Sequence, residues 1–276
     1  MKLSFSTVST INASFAEDVA AYAAAGFDAI GLWEVKLPAD DGANLALLRE
    51  HGLAVSNCVP TVPSFLQLGV PGLEGPAEPA ERLAAICASI ERLAAYEPDC
   101  VLVLTGPSGD RSDEEARTIV RDGLVRAAAA ARDAGVRLGF EPIHPDHRAH
   151  TGFVCSLADA VALLGEARLD DVGIMADTYN LAREAPADLA ALADRLTGLH
   201  VAELPTAGDA SGPRALPGEG DGSSARVVRA LREAGWDGTL DVEIFSTPDG
   251  FWALPVDEAA RRAHAAASSL AAQTVP

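Results

Sequence analysis

Eight times along the chain, a short apolar run is followed by an Ala-rich stretch of helical periodicity. No other feature constrains the fold as much. The runs expected as strands are Leu3–Thr7, Ala29–Trp33, Ala54–Cys58, Val101–Leu104, Arg137–Glu141, Gly173–Asp177, Gly198–Val201 and Leu240–Ile244. Helices are expected at Phe15–Ala25, Asn44–His51, Ala80–Tyr96, Asp113–Ala134, Leu157–Gly165, Ala187–Arg195, Ser223–Ala234 and Val256–Ala272. Helices separating strands in this way imply right-handed crossovers and a parallel sheet. Local punctuation agrees. Ser14 with Glu17, and Ser112 with Glu115, have the spacing of a capping box. Ala25-Gly26, Ala134-Gly135 and Ala234-Gly235 place a glycine where a helix turns left-handed before the next strand. An open, doubly wound sheet is the structural rival. Eight such units in 276 residues, with no glycine-rich dinucleotide fingerprint after the first strand, favour one closed (β/α)8 TIM barrel over residues 1–276.

With 49% hydrophobic and 22% charged residues, the chain has ample material for such a core. Its formal net charge of −19 would repel a phosphate-rich polymer or an anionic lipid surface. Nucleic acid and membrane are therefore not expected as partners, and the plain role of the charge is solubility. No apolar run approaches the ~20 residues that a membrane span needs. Cys58, Cys87, Cys100 and Cys155 lack CxxC spacing and suit a reduced, cytoplasmic protein. The first ten residues, MKLSFSTVST, read as a strand and not as a signal peptide.

Two connections are long, Val59–Pro79 and Leu204–Gly222, and the second holds Arg214. Loops beyond about 12 residues are usually functional. In a barrel both follow strands and lie on the C-terminal face, where active sites sit.

The chemistry is expected at the strand ends. RLGFE ends at Glu141, GIMAD at Asp177, GLH at His200 and LDVE at Glu243. Period-two alternation places Gly139 with Glu141, Met175 with Asp177, and Asp241 with Glu243. If those faces point inward, four polar heads converge at the top of the barrel. Three carboxylates packed together need protons or a cation. Three oxygen ligands and one imidazole suit Mn²⁺ first, with Mg²⁺, Co²⁺ or Zn²⁺ as alternatives. The competing reading is four separate strand-end residues, each paired with an Arg or a helix N-terminus.

The segments AGFDAIGLWEVK, LTGPSG, GFEPIHP, ADTYN, GLHVAEL, PRALPGEGDG and LDVEIFS are similar to the xylose isomerase-like barrel family, in particular its sugar isomerase and epimerase branch. The resemblance covers essentially the whole chain. It implies that Glu141, Asp177, His200 and Glu243 are the metal ligands. It also implies that Glu141 and Glu243 form the acid–base pair of a metal-dependent isomerase or epimerase acting on a small sugar, keto-sugar or cyclitol. One would remove a proton beside the carbonyl and the other return one, through a metal-stabilised enediolate. Arg214 matches a loop arginine that contacts substrate oxygens; a solvated loop arginine is the competing reading. Trp33 and Glu34 fall where the family packs side chains on the sugar; a core Trp beside a surface Glu is the alternative. His144 and His147 are expected to line the pocket, unless they are surface-loop residues. LTGPSG is a weak candidate for a phosphate cradle.

Two positions depart from relatives. Asn180 stands where many have His, and it is expected at the substrate. The extra histidines of the family's DNA-repair endonucleases are missing, so a nuclease is rejected. His147 replaces an acidic residue of some ketose epimerases, which keeps a second outcome in view. A lyase or dehydratase on a keto-cyclitol or 3-keto-glycoside would use the same metal and glutamates. A barrel that binds sugar or metal without turnover is a third. Phosphorylated substrates are disfavoured, because the mouth offers few basic residues beyond Lys36, Arg148 and Arg214. Substrate identity, native metal and homo-oligomerisation are not readable from the sequence.

Overall fold

A computed structural model describes residues 1–205, 210 and 212–273. Among them, eight parallel strands close into a barrel in chain order. They are β1 (Lys2–Ser6), β2 (Ala29–Trp33), β3 (Ala54–Val59), β4 (Val101–Val103), β5 (Leu138–Phe140), β6 (Gly173–Asp177), β7 (Leu196–Val201) and β8 (Thr239–Val242). A helix follows each strand: α1 (Phe15–Ala25), α2 (Asp41–His51), α3 (Pro79–Leu93), α4 (Asp113–Ala134), α5 (Leu157–Glu166), α6 (Pro186–Ala190), α7 (Ser223–Glu233) and α8 (Val256–Ala272). The expected (β/α)8 barrel is what forms. β1 closes it against β8, with Leu3 opposite Leu240 and Phe5 opposite Val242.

Both capping boxes form, at Ser14 with Glu17 and at Ser112 with Glu115. Gly26 ends α1 with φ of 99°, a left-handed turn that a Cβ would strain. Helix ends differ from expectation where i→i+3 bonds tighten the backbone. α3 gives way to a 3₁₀ turn at Ala94–Tyr96. The expected Ala187–Arg195 helix is α6 plus a separate 3₁₀ turn at Ala193–Arg195.

Strand alternation divides the apolar residues into two layers. Outward side chains such as Phe5, Ile30, Val101, Phe140, Ile174 and Leu199 join the helices in the main core. Inward ones, including Cys100, Leu102 and Met175, form a smaller cluster in the lumen with Trp33, Val59 and Ile143. Four strands end earlier than expected: β1 at Ser6, β4 at Val103, β5 at Phe140 and β8 at Val242. β5 stops at Phe140 because Pro142 has no N–H to extend the ladder, although the Glu141 N–H still reaches the Val103 carbonyl. β8 stops at Val242 because the Ile244 N–H turns to the Ser9 hydroxyl at 2.8 Å. Glu141 and Glu243 are thus the first residues beyond their strands, still on the inward face.

Candidate active site and metal centre

Register brings the polar heads together. Asp177 lies opposite His200 in the β6–β7 pair, and His200 lies opposite Asp241 in the β7–β8 pair. Glu141, Asp177, His200 and Glu243 are all buried. Ligand atoms of Glu141, Asp177 and His200 lie within 4.8 Å of one another. Glu243 borders this triad, its Oε2 3.3 Å from His200 Nδ1. Three of the four expected ligands are therefore gathered tightly, and the fourth faces Arg214 and Trp33. Arg214 lies 2.9 Å from both Asp177 Oδ2 and Glu243 Oε2. The Trp33 indole N–H donates to Glu243 Oε1 at 3.2 Å.

The residues present fit a divalent cation. Burial raises the Glu141 carboxyl, with His200 opposing it. Burial raises the Asp177 carboxyl too, against the pull of Arg214. Burial would lower the His200 imidazolium, but Glu243, Asp241 and Glu141 outweigh it and hold it well above the usual range. Asp177 Oδ2 and His200 Nδ1 are buried without a hydrogen-bond partner. Arg214 reaches the first as an ion pair without hydrogen-bond geometry. His200 Nδ1 faces two carboxylates, which only a proton or a cation can reconcile. Its other nitrogen, Nε2, lies 3.4 Å from both Asn57 Oδ1 and Asp241 Oδ2, two acceptors. Nε2 therefore carries hydrogen, and the proton on Nδ1 is the one a cation would displace to reach that nitrogen's lone pair.

Asp241 and Asn57 are functional candidates that sequence reading did not single out. Asn57 Nδ2 donates to Asp241 Oδ2 at 2.7 Å. Gly31 leaves room for that carboxylate, since a Cβ there would stand 2.3 Å from Asp241 Oδ2. The signal for Asp241 was its place two residues before Glu243 on the inward face. Asn57 sits where the β2–β3 register shifts, which no sequence pattern marks.

Above the triad opens a cavity of about 260 Å³ whose wall includes Trp33, Glu141, His147, Asn180, Arg214 and Glu243. Asn180 clamps Glu141, donating from Nδ2 to Glu141 Oε1 at 2.9 Å and accepting the His144 N–H at 3.2 Å. The Arg214 guanidinium lies over the rings of Tyr179 and Phe245, at 4.7 and 4.8 Å. Burial would lower its pKa, but Asp177 and Glu243 raise it on balance. His147 Nε2 is 3.3 Å from the Tyr179 hydroxyl.

Two residues expected at the substrate are turned away from this wall. Glu34 accepts from the Thr61 N–H at 2.8 Å and the Ser89 hydroxyl at 2.6 Å, and pairs with Arg92 at 3.2 Å. His144 is fully buried, its Nδ1 accepting the Asp146 N–H at 3.2 Å, and it is not part of the wall. The LTGPSG segment, residues 104–109, packs against the β3–α3 connection. The Leu104 N–H bonds the Pro63 carbonyl, and Gly106 packs on the Leu66 backbone. Of the three basic residues expected at the mouth, only Arg214 lines the cavity; Lys36 pairs with Asp18, and Arg148 bonds the Phe153 carbonyl and Asp113. In the Leu204–Gly222 connection, residues 206–209 and 211 lie outside the described residues. Among the described residues, no helix is long and apolar enough to cross a membrane.

A model of the xylose isomerase-like TIM barrel family matches residues 19–270. Among solved structures, a protein of Sinorhizobium meliloti 1021 is similar with a TM-score of 0.82 at 23% identity, over 98% of each chain. The IolI protein with a bound zinc atom is similar with a TM-score of 0.79 at 18% identity, over 98% of each chain. The 3-keto-D-glucoside 4-epimerase of E. coli is similar with a TM-score of 0.74 at 19% identity, over 98% of this chain and 99% of its own. At these identities the likenesses speak for the fold. No curated protein matches the chain by sequence.

Proposed function

The chain belongs to the xylose isomerase-like TIM barrel family, and from that premise we propose that it is a metal-dependent isomerase or epimerase of a small sugar, keto-sugar or cyclitol. The observation that carries the reading is the buried Glu141–Asp177–His200 triad beneath a cavity whose wall holds two glutamates, Glu141 and Glu243. Glu141, Asp177 and His200 would hold the cation, with Glu243 as the fourth ligand. When bound, a divalent cation supplies Lewis acidity that draws charge from a carbonyl and acidifies the C–H beside it.

The chain's own residues do the rest. Glu141 and Glu243 enter the cavity from β5 and β8, three strands apart around the barrel. One carboxylate takes the proton from the carbon beside the carbonyl. The other returns a proton, to the opposite face of that carbon in an epimerisation or to the former carbonyl carbon in an isomerisation. Neither outcome changes the oxidation level of the substrate overall. Asn180 holds Glu141 in place, and Trp33 and Arg214 hold Glu243. Arg214 is also the cavity's cationic donor for substrate oxygens, with His147 on the rim. The zinc atom of the IolI structure and the keto-sugar named for the E. coli epimerase support this reading.

A second reading is favoured by the hydrocarbon part of the cavity wall at Leu68, Leu102 and Leu104. The same proton abstraction could expel a leaving group from a 3-keto-glycoside or keto-cyclitol. One experiment separates the readings. Mn²⁺-loaded protein is incubated in D₂O with a panel of ketoses, keto-cyclitols and 3-keto-glycosides. Deuterium next to the carbonyl at unchanged composition supports the isomerase or epimerase, and loss of aglycone or water by mass supports the lyase. No exchange and no loss across the panel sinks both.

A further inference from the structure

The polar side chains of the described cavity wall, Glu141, His147, Thr151, Tyr179, Asn180, Arg214 and Glu243, all follow β5 to β8, where the apolar Ile143 and Phe245 also stand. The opposite arc, from β3, β4 and the connection between them, offers Val59, Pro63, Leu68, Leu73, Leu102 and Leu104. Several backbone polar groups there are already consumed. The Leu104 N–H bonds the Pro63 carbonyl at 2.7 Å, and the Phe65 and Leu66 N–H groups bond the Leu104 and Thr105 carbonyls at 3.2 and 2.9 Å. Glu34 takes the Thr61 N–H.

This hydrocarbon arc is a built surface. Arg82 on α3 is fully buried and fastens the β3–α3 connection from beneath. It donates to the Ser64 carbonyl at 2.8 Å, the Ser64 hydroxyl at 2.7 Å and the Pro76 carbonyl at 2.8 Å, and also bonds the Glu74 carbonyl. At the far end, the Gly69 N–H bonds the His150 carbonyl at 2.8 Å. Leu68 and Leu73 are thereby held over the mouth.

A bare sugar fills such a space badly, because hydroxyls turned toward this arc lose water and find no partner. A hydrocarbon group turned the same way loses nothing and gains burial. From this division we infer that the substrate carries an apolar substituent: its oxygen-rich, reacting ring lies on Glu141, Glu243 and Arg214, and a hydrocarbon group lies against Leu68, Leu73, Leu102 and Leu104. About 260 Å³ falls below the range of roughly 300–1,000 Å³ common for small-molecule sites. The substituent is therefore one ring or a short chain, as in a keto-glycoside with a small aromatic or alicyclic aglycone. This deepens the proposed function and rests on it for the placing of the reacting ring.

The test uses non-reacting glycosides of one sugar, so that it reads binding alone. Isothermal titration of the Mn²⁺-loaded protein with methyl, cyclohexyl and phenyl glucosides, each as both anomers, should show the cyclohexyl or phenyl compound binding about tenfold more tightly than the methyl one. Leu73→Ser, on the partly exposed connection, and Leu104→Ser, on the β4 side, should each remove most of that preference. Affinities within about twofold across the series, or a preference that both variants retain, would overturn the inference. Hydrogen exchange in D₂O decides the proposed function separately. Exchange without the preference sinks only the inference; the preference without exchange or elimination sinks only the proposed function. No binding of any glucoside at millimolar concentration, with no exchange, sinks both.

Discussion

His200 is gripped on one ring nitrogen and exposed to carboxylates on the other. Asp241 and Asn57 set that polarity from below, and neither reaches the cavity wall. Outer partners of this kind typically change metal affinity by about 10- to 100-fold. Asp241→Asn should therefore weaken Mn²⁺ binding by about that factor while circular dichroism stays unchanged; an unaltered Kd would remove Asp241 from the site's design. Arg214 acts in the opposite direction. Its guanidinium lies against the same two carboxylates that a cation would share. Arg214→Met should tighten Mn²⁺ binding by about tenfold, or 1.4 kcal/mol, because a like charge leaves the site. The same variant should raise KM for the substrate. Weaker Mn²⁺ binding would show that Arg214 organises the ligands and does not compete with the metal.

At the level of elements, the tops of β1 and β2 are tied by a buried ion pair. Lys36, just past β2, pairs with Asp18 of α1 and donates to the Thr7 and Thr10 carbonyls at 3.1 and 2.7 Å. Thr7 Oγ1 in turn accepts the Trp33 N–H at 2.9 Å, so the pair helps place Trp33 above Glu243. Burial pushes the Asp18 carboxyl up to about 7, with Lys36 opposing. The unfolded chain releases this proton near 3.8, whereas the folded chain keeps it to about 7. Between those values the folded state binds more protons, so Asp18 makes stability fall as pH rises. Comparing urea unfolding of the wild type and Asp18→Asn across that window should show a steeper decline in the wild type. Parallel profiles would contradict the assignment. Lys36→Met removes the attraction that opposes burial, so the Asp18 carboxyl should titrate higher still and the decline in stability should extend to higher pH than in the wild type. The elements themselves were legible because strand alternation and helix caps are local. Their ends were less so. β8 stops where a hydroxyl from the far side of the β1 seam, Ser9, captures the Ile244 N–H, and no local pattern announces such a partner.

Across the whole molecule, the proposed metal site links cation binding to stability, because Glu141, Asp177 and His200 come together only when the barrel closes. Saturating Mn²⁺ at about 100 times its Kd contributes about 2.7 kcal/mol. For a chain of this size that should raise Tm by roughly 5–10 °C, and EDTA should reverse it. A Tm indifferent to Mn²⁺ would argue against a built metal site. The net charge of −19 adds general repulsion, which makes an exchangeable cation at the barrel mouth more welcome still.

By itself the sequence determined the eightfold alternation, the inward faces of the strands and the strand-end positions of Glu141, Asp177, His200 and Glu243. These follow from periodicity, which each segment carries within itself. Only the tertiary structure decided which of those heads meet. Strand register set Asp177 beside His200 and His200 beside Asp241. The β3–α3 connection, pinned by Arg82, laid hydrocarbon across the mouth, while Glu34 and His144 found partners elsewhere and left the wall. Such outcomes depend on competition between groups far apart in the chain for the same buried partner, and local sequence holds no record of who wins.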